Sequence, residues 1–202
     1  EKMRSDGVGF GSLKLWAKED NLATYNKIVN NDLYSYLLKA SGKQGGSSYD
    51  VARVMYQMYK DTYICVSIKD SLWFYYDNNS HKWIEDDKGI RLKMKISTEV
   101  WERFQEVAKS LMEKASPGDE NDIRVDQMRA TQQKLKTTNF KSHVMSECME
   151  IFYDHSREFY NKLDSNLNLI GFNNGVYDLE LDEFRKGRPE DYITMSTKID
   201  FI

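Results

Sequence analysis

Nine cations in three short runs have the clearest capacity for chemistry in this 202-residue chain: Arg91, Lys93 and Lys95; Lys134, Lys136 and Lys141; Arg185, Lys186 and Arg188. Clustered Lys and Arg neutralise phosphates and release counterions, so each run is a candidate nucleic-acid contact. In IRLKMKI, residues 90–96, Ile90, Leu92, Met94 and Ile96 share one parity while the three cations share the other. Read as a strand, the stretch lines its cations along one face. The same pattern suits a solvated strand face whose lysines discourage edge-to-edge pairing, and the residues alone weigh about evenly between the two readings. The second run flanks the helical break LKTTN, where basic residues near helix ends can grip phosphates but are more often merely exposed. The third follows a short strand beginning at Phe184 and stops at Pro189, which lacks an N–H for any further ladder.

Other chemistries find less support. His143, Cys148 and His155 match no short metal-ligand pair, and no fourth ligand stands out. Asp178, Glu180 and Asp182 are oxygen donors of the kind a hard cation takes, yet their period-2 spacing fits a solvated face better. Gly7, Gly9 and Gly11 follow no strand and complete neither phosphate-loop pattern, and the Gly42-Lys43 pair sits in a Gly- and Ser-rich run without Walker context. No nucleophile–base motif is present. The expectation is a stretch with no catalytic residues, no metal site and no cofactor of its own.

The elements that must position the cations are legible in coarse form. Thirteen Tyr, nine Phe and four Trp belong to a folded chain. A net charge of −3 confines any nucleic-acid surface to a local patch. Cys65 and Cys148, without CxxC spacing, read as reduced core thiols. No apolar run approaches the roughly 18 residues a membrane span needs, and no membrane partner is expected. The abrupt ends suggest a piece of a longer polypeptide. Amphipathic helices are expected from Asn21, with Asp32 capping a second, and residues 41–47 read as a flexible linker at a domain boundary. Ser48 caps a helix carrying Val51, Val54, Met55 and Met58. TYICVSI, SLWFYYD and HKWIED then form a small antiparallel meander over about residues 62–86, whose aromatics are core on at least one face and a candidate stacking platform on the other. Helices follow from Ser97, through Ile123 to Leu135, and from Phe140 to Phe152. Asn173-Asn174-Gly175 opens a hairpin in which Gly175, Tyr177, Leu179 and Leu181 share a parity, with the return near 186. The fold class is α+β, predominantly helical, with a meander and a C-terminal hairpin.

GFNNGVYDLE followed by FRKGRPEDYITMSTKID closely resembles the C-terminal signature of the D5 N-terminal domain family of large-DNA-virus, poxvirus D5-type primase-helicases. YDVARVMYQMYKDTYICVSIKDSLWFYY, KWIEDDKGIRLKMKIS and LKTTNFKSHVMSECMEIFYD resemble the same family in the same order, so the likeness covers about residues 48–202. The reversal after Leu181 departs from it by carrying no Gly. GSLKLWAKEDN resembles the end of a primase C-terminal segment, which makes residues 1–40 a linker remnant, 41–47 the linker and 48–202 the D5-type domain. The resemblance implies a non-catalytic middle module that connects a primase to an ATP- and Mg²⁺-dependent superfamily 3 helicase ring. It also implies a hexameric homo-oligomer in the full-length protein, DNA as partner and the viral replication site in the host cytoplasm as setting, and it tips Arg91, Lys93 and Lys95 toward DNA contact. The rival expectation is a protein-interaction module that recruits replication partners and touches no DNA. An exposed apolar patch would favour the rival, and basic residues gathered on one face would favour DNA.

Overall fold

The computed structural model describes residues 16, 17, 20–42 and 46–202. The glycines at 7, 9 and 11 and the centre of the expected linker, 43–45, lie outside the described residues. So do the side chains of Leu22, Tyr25, Ile28 and Val29. Helix α1 runs unbroken over Leu22–Lys39, capped by the Asn21 side chain accepting from Thr24 N at 2.9 Å, so Asp32 caps no second helix. Leu37 in its last turn and its C-cap Ala40 are buried in the same core as helix α2, Ser48–Tyr59. Residues on both sides of the expected linker therefore share one core. The cap of α2 is Ser47, one residue earlier than the sequence suggests, and Val51, Val54 and Met55 are buried as their spacing requires.

Strands β1 (Tyr63–Ser67), β2 (Leu72–Asp77) and β3 (Lys82–Asp87) form the antiparallel meander in the order β1-β2-β3, as the alternating apolar runs and their polar turns predict. Pleat alternation divides its aromatics between two layers. Tyr63, Cys65, Trp73 and Tyr75 join the helical core, while Tyr76 and Trp83 pack with Phe159 in a second cluster. Both faces are covered, so neither face of the sheet is left as an open stacking platform, and only ring edges at its open end line a groove. Cys65 and Cys148 are fully buried and unpaired, and burial pushes the Cys65 thiol up to about 11.

Residues 90–96 correct the strand expectation. Ile90–Lys95 is a helix, α3, running into a π-helical turn at Ile96–Val100 and then helix α4, Trp101–Met112. Two local features start it. Gly89 adopts φ 62°, where a side chain is strained, and a Cβ there would also lie 2.9 Å from the Met145 Cε and 3.0 Å from the Trp73 Nε1. The Asp86 carboxylate, 2 % exposed, then accepts from Arg91 N at 3.1 and 3.3 Å, taking up an N–H of the first turn. The apolar parity was misleading because Ile90 and Met94 are exposed, at 53 % and 61 %, whereas Leu92, Ile96, Val100 and Phe104 are fully buried. Four-residue steps drift around an α-helix, and the wider π turn returns them to one face.

Helices α5 (Glu120–Leu135) and α6 (Thr138–Ile151) match the predicted spans, and α6 lies across α2. After a short helix α7 (Glu158–Lys162), strands β4 (Leu169–Gly171), β5 (Val176–Asp178) and β6 (Glu183–Arg185) make a second antiparallel sheet. The strand expected to reach Leu181 ends at Asp178. Val176 is buried, whereas Leu179 and Leu181 stand exposed in a reversal where Asp182 itself takes φ 53° in place of a glycine. The tail binds the meander: Trp83 N donates to Ile193 O at 2.7 Å and Trp83 Nε1 to Pro189 O at 2.8 Å.

Two measurable consequences follow from the buried charges. Burial raises the Asp86 carboxyl above its ordinary 3.8, so the folded protein holds that proton more tightly than the unfolded chain. Ionisation of Asp86 therefore works against folding, with its cost absent below about pH 3.8 and complete above the raised value. Asp86→Asn is expected to gain stability relative to wild type as pH rises through that window, and Asp86→Ala to lose about 1–3 kcal/mol with the lost cap. Parallel denaturation profiles for wild type and Asp86→Asn across that range would remove this account. Arg185, forked onto Asp191 by two 2.8 Å hydrogen bonds at 17 % and 8 % side-chain exposure, should on change to Ala destabilise the protein by about 3 kcal/mol in urea. Lys186→Ala should stay within about 0.5 kcal/mol.

Candidate nucleic-acid interface

Helix geometry divides the first run of cations. Arg91 and Lys95, one turn apart, point to the open end of the meander, where the Arg91 guanidinium lies 4.7 Å from the Tyr75 ring centre and the Lys95 Nζ 5.1 Å from that of Tyr59. Lys95 also pairs with Glu99, which accepts from the Tyr59 hydroxyl at 2.8 Å. Burial alone would raise the Glu99 carboxyl, but these two hydrogen bonds together with the Lys95 and Arg103 charges hold the group below its usual value.

Lys93 leaves α3 on the opposite side. Its Nζ lies 3.1 Å from the Ser142 Oγ on α6. Ser142 follows Lys141 directly, and its hydroxyl donates to Thr138 O at the start of the same helix. The second run converges there as well. Lys134 stands over the Phe140 ring at 5.7 Å, and Lys136, exposed just before α6, lies 4.0 Å over the Trp101 ring. The helix they surround begins without a side-chain cap, because the Thr137 hydroxyl donates back to Lys134 O at 2.8 Å, and its first turn holds no acidic residue. Amides left open at a helix start, with lysines supplied by α3, α5 and α6, make a surface complementary to phosphate.

The third run is not brought to this place as a unit. Arg185 is engaged by Asp191 and lies 3.7 Å from Asp178, and the Asp191 hydrogen bond raises its pKa further. Arg188 is half-buried, with its backbone N–H donating to Asp191 at 2.7 Å. Lys186 is exposed. Arg185 thus serves the fold. Spacing along the chain did not reveal Trp101 and Ser142, which seat Lys136 and Lys93 from helices that meet only in space. Among the described residues no group of three or more His, Cys, Asp or Glu gathers where it could hold a metal ion. No described helix is long and apolar enough to cross a membrane.

Comparison with known proteins gives a consistent result. A profile of the family described as D5 N terminal like matches residues 52–201. Three similar proteins each carry the name "Putative helicase". That of Acanthamoeba polyphaga mimivirus is 34 % identical over 209 residues, covering 99 % of this chain and 21 % of its own length. That of Frog virus 3 (isolate Goorha) is 25 % identical over 192 residues, covering 78 % of this chain and 19 % of its own. That of Invertebrate iridescent virus 3 is 25 % identical over 229 residues, covering 95 % and 23 %. The chain thus spans about a fifth of the length of these relatives. With the profile covering most of the chain, and the meander, helices α3–α7 and the C-terminal sheet inside the matched span, this chain belongs to the D5 N-terminal-like family.

Proposed function

We propose that this chain is a non-catalytic module of a viral DNA-replication primase-helicase, linking a primase to an ATP-driven ring, supporting assembly of that ring and guiding DNA through phosphate contacts at the start of α6. One observation carries the DNA part: the acid-free start of α6 includes Lys141, Lys93 reaches Ser142 on the same helix, and Lys134 and Lys136 stand over Phe140 and Trp101 beside it. Phosphate contacts of this kind attract and orient a strand without reading its bases, which suits a guide. The names of the viral relatives support a helicase setting. In this reading ATP and Mg²⁺ act in the remaining four-fifths of such a polypeptide, copies associate as a hexameric ring, and the work takes place at a viral replication site in the host cytoplasm.

The protein-interaction reading also has a specific observation in its favour. Leu167, Ile170 and Met195 stand 87 %, 36 % and 68 % exposed around a shallow cavity of about 370 Å³ beside β4. An apolar ledge of this sort suits a protein surface better than a polyanion.

A salt titration separates the two. Changing Lys93, Lys136 and Lys141 together to Ala is expected to weaken binding to fluorescent DNA and to lower the slope of log affinity against log salt by about 0.7–0.9 per lost contact. The fold should persist, since each lysine is a surface group worth no more than about 1 kcal/mol. Unchanged affinity and slope, with circular dichroism intact, would move the conclusion to the protein-interaction reading. The pure chain is also expected to show no ATP turnover, because no triphosphate-binding motif is present. Turnover that survives removal of contaminants would overturn that.

A further inference from the structure

Arg91 and Lys95 border a groove that the phosphate surface at α6 does not use. It measures about 680 Å³, within the range of small-ligand sites, and lies between the open end of the meander and the π-helical turn. Edges of Tyr59, Tyr63 and Tyr75 form one wall, Asn79 of the β2–β3 turn closes an end, and Thr98 of the π turn forms the opposite lip. Tyr63 and Tyr75 are stacked, with ring centres 5.9 Å apart, and Tyr59 meets Tyr63 edge-on at 5.8 Å, so the wall is rigid.

The lining holds two cations and two carboxylates, of which Lys95 and Glu99 pair with each other, leaving Arg91 for the anionic end of a ligand with a planar body. Two carboxylates line the groove, and each already has donors. Asp77 accepts from Asn79 N at 3.2 Å and from the Ser80 hydroxyl at 2.6 Å, and Glu99 accepts from Tyr59 and Lys95. Arg91 lines the groove, forms no ion pair with a carboxylate among the described residues, and carries five N–H donors on a guanidinium 4.7 Å from the Tyr75 ring centre. A π turn in place of regular helix sets Thr98 and Glu99 at the lip, a departure common at functional sites.

The geometry points to this groove as the seat of one unstacked nucleotide of a single strand, with its base against the tyrosine wall and its phosphate on Arg91 and Lys95. The inference deepens the nucleic-acid reading above and rests on it, but through different residues. A duplex keeps its bases stacked and paired and presents only phosphates, which suits the α6 surface, whereas a single strand can turn a base into an aromatic groove.

The test uses an oligothymidylate of about 15 nucleotides and a hairpin duplex as separate fluorescent probes, with three proteins beside wild type. Thr98→Trp fills the groove without changing charge, Arg91→Ala removes the phosphate donor while keeping the backbone N–H that meets Asp86, and the α6 triple-lysine variant serves as the third. Thr98→Trp and Arg91→Ala are each expected to weaken oligothymidylate binding at least about tenfold and to change duplex binding less than about twofold. An oligothymidylate carrying 5-iododeoxyuridine is expected to photocrosslink to the peptides holding Tyr59, Tyr63 or Tyr75 in wild type, a readout that requires no variant to fold. Wild-type oligothymidylate affinity in both groove variants overturns the inference, as does crosslinking only elsewhere or failure of wild type to bind the oligothymidylate. Loss of duplex binding in the triple-lysine variant with no groove effect removes the groove and leaves the α6 surface. The reverse pattern removes the α6 surface and leaves the groove.

Discussion

The buried Asp86 carboxylate is the joint on which the rest of the arrangement turns. A carboxylate removed from water is costly unless its oxygens are supplied with donors. Here both oxygens lie within reach of the Arg91 amide, and the Arg91 charge stands nearby. Asp86 is opposite Trp73 in the sheet register, so the end of β3 and the start of α3 are fixed to the same central ring. From that start the direction of α3 is set, and with it the side from which each cation leaves: Arg91 and Lys95 toward the tyrosines, Lys93 toward α6. The tyrosine-lined groove, and the Lys93 contribution to the α6 surface, thus depend on one capping carboxylate.

The meander can perform this role because it is held on both faces. Its inner face contributes Trp73 and Tyr75 to the helical core, and its outer face is closed by Phe159 and the chain after Pro189. Trp83 fastens that closure through its backbone and its indole, and Arg185 with Asp191 fixes the turn from which the tail departs. The last sheet is less completely covered. Phe172, Phe184 and Phe201 pack on one another there, while Leu167, Leu181 and Met195 face solvent. Its interior is finished and its outer surface is apolar, which is why a protein partner stays a coherent alternative for this end of the molecule.

How much of this was legible in the sequence depended on whether the deciding contact was local. The meander was legible because period-2 runs and the turns at Lys69-Asp70 and Asn78-Asn79-Ser80 are properties of neighbouring residues. Helices α5 and α6 were legible for the same reason. Residues 90–96 were not, because Leu92 and Ile96 satisfy both a period of two and a step of four, and the exposed Ile90 and Met94 filled in the wrong pattern. What settled the matter was Gly89 and a carboxylate at Asp86, a cap placed five residues before the amide it serves. The site was hidden more deeply. Lys93 and Ser142 are 49 residues apart and meet only because α3 crosses α6. Reading the third run for cations alone passed over Asp191, six residues from Arg185, whose opposite charge makes that arginine structural.

A protein with more acidic than basic residues can still present a phosphate surface if its carboxylates are directed elsewhere, and the helix ends show where they go. Asp119 caps α5, accepting from Asp122 N at 2.8 Å, and Glu120 and Asp122 fill the first turn behind it. Asp154 accepts from Phe159 N at 3.0 Å at the start of α7, and Asp164 from Thr194 N at 2.8 Å in the tail. Asp119 and Asp154 place negative charge at helix starts, where open amides already carry positive partial charge. The start of α6 is the contrasting case: its Thr137 cap turns away, no acid enters its first turn, and lysines surround it. Acidic side chains in that first turn would suit the helix dipole as they do in α5, so the helix by itself does not call for an acid-free start.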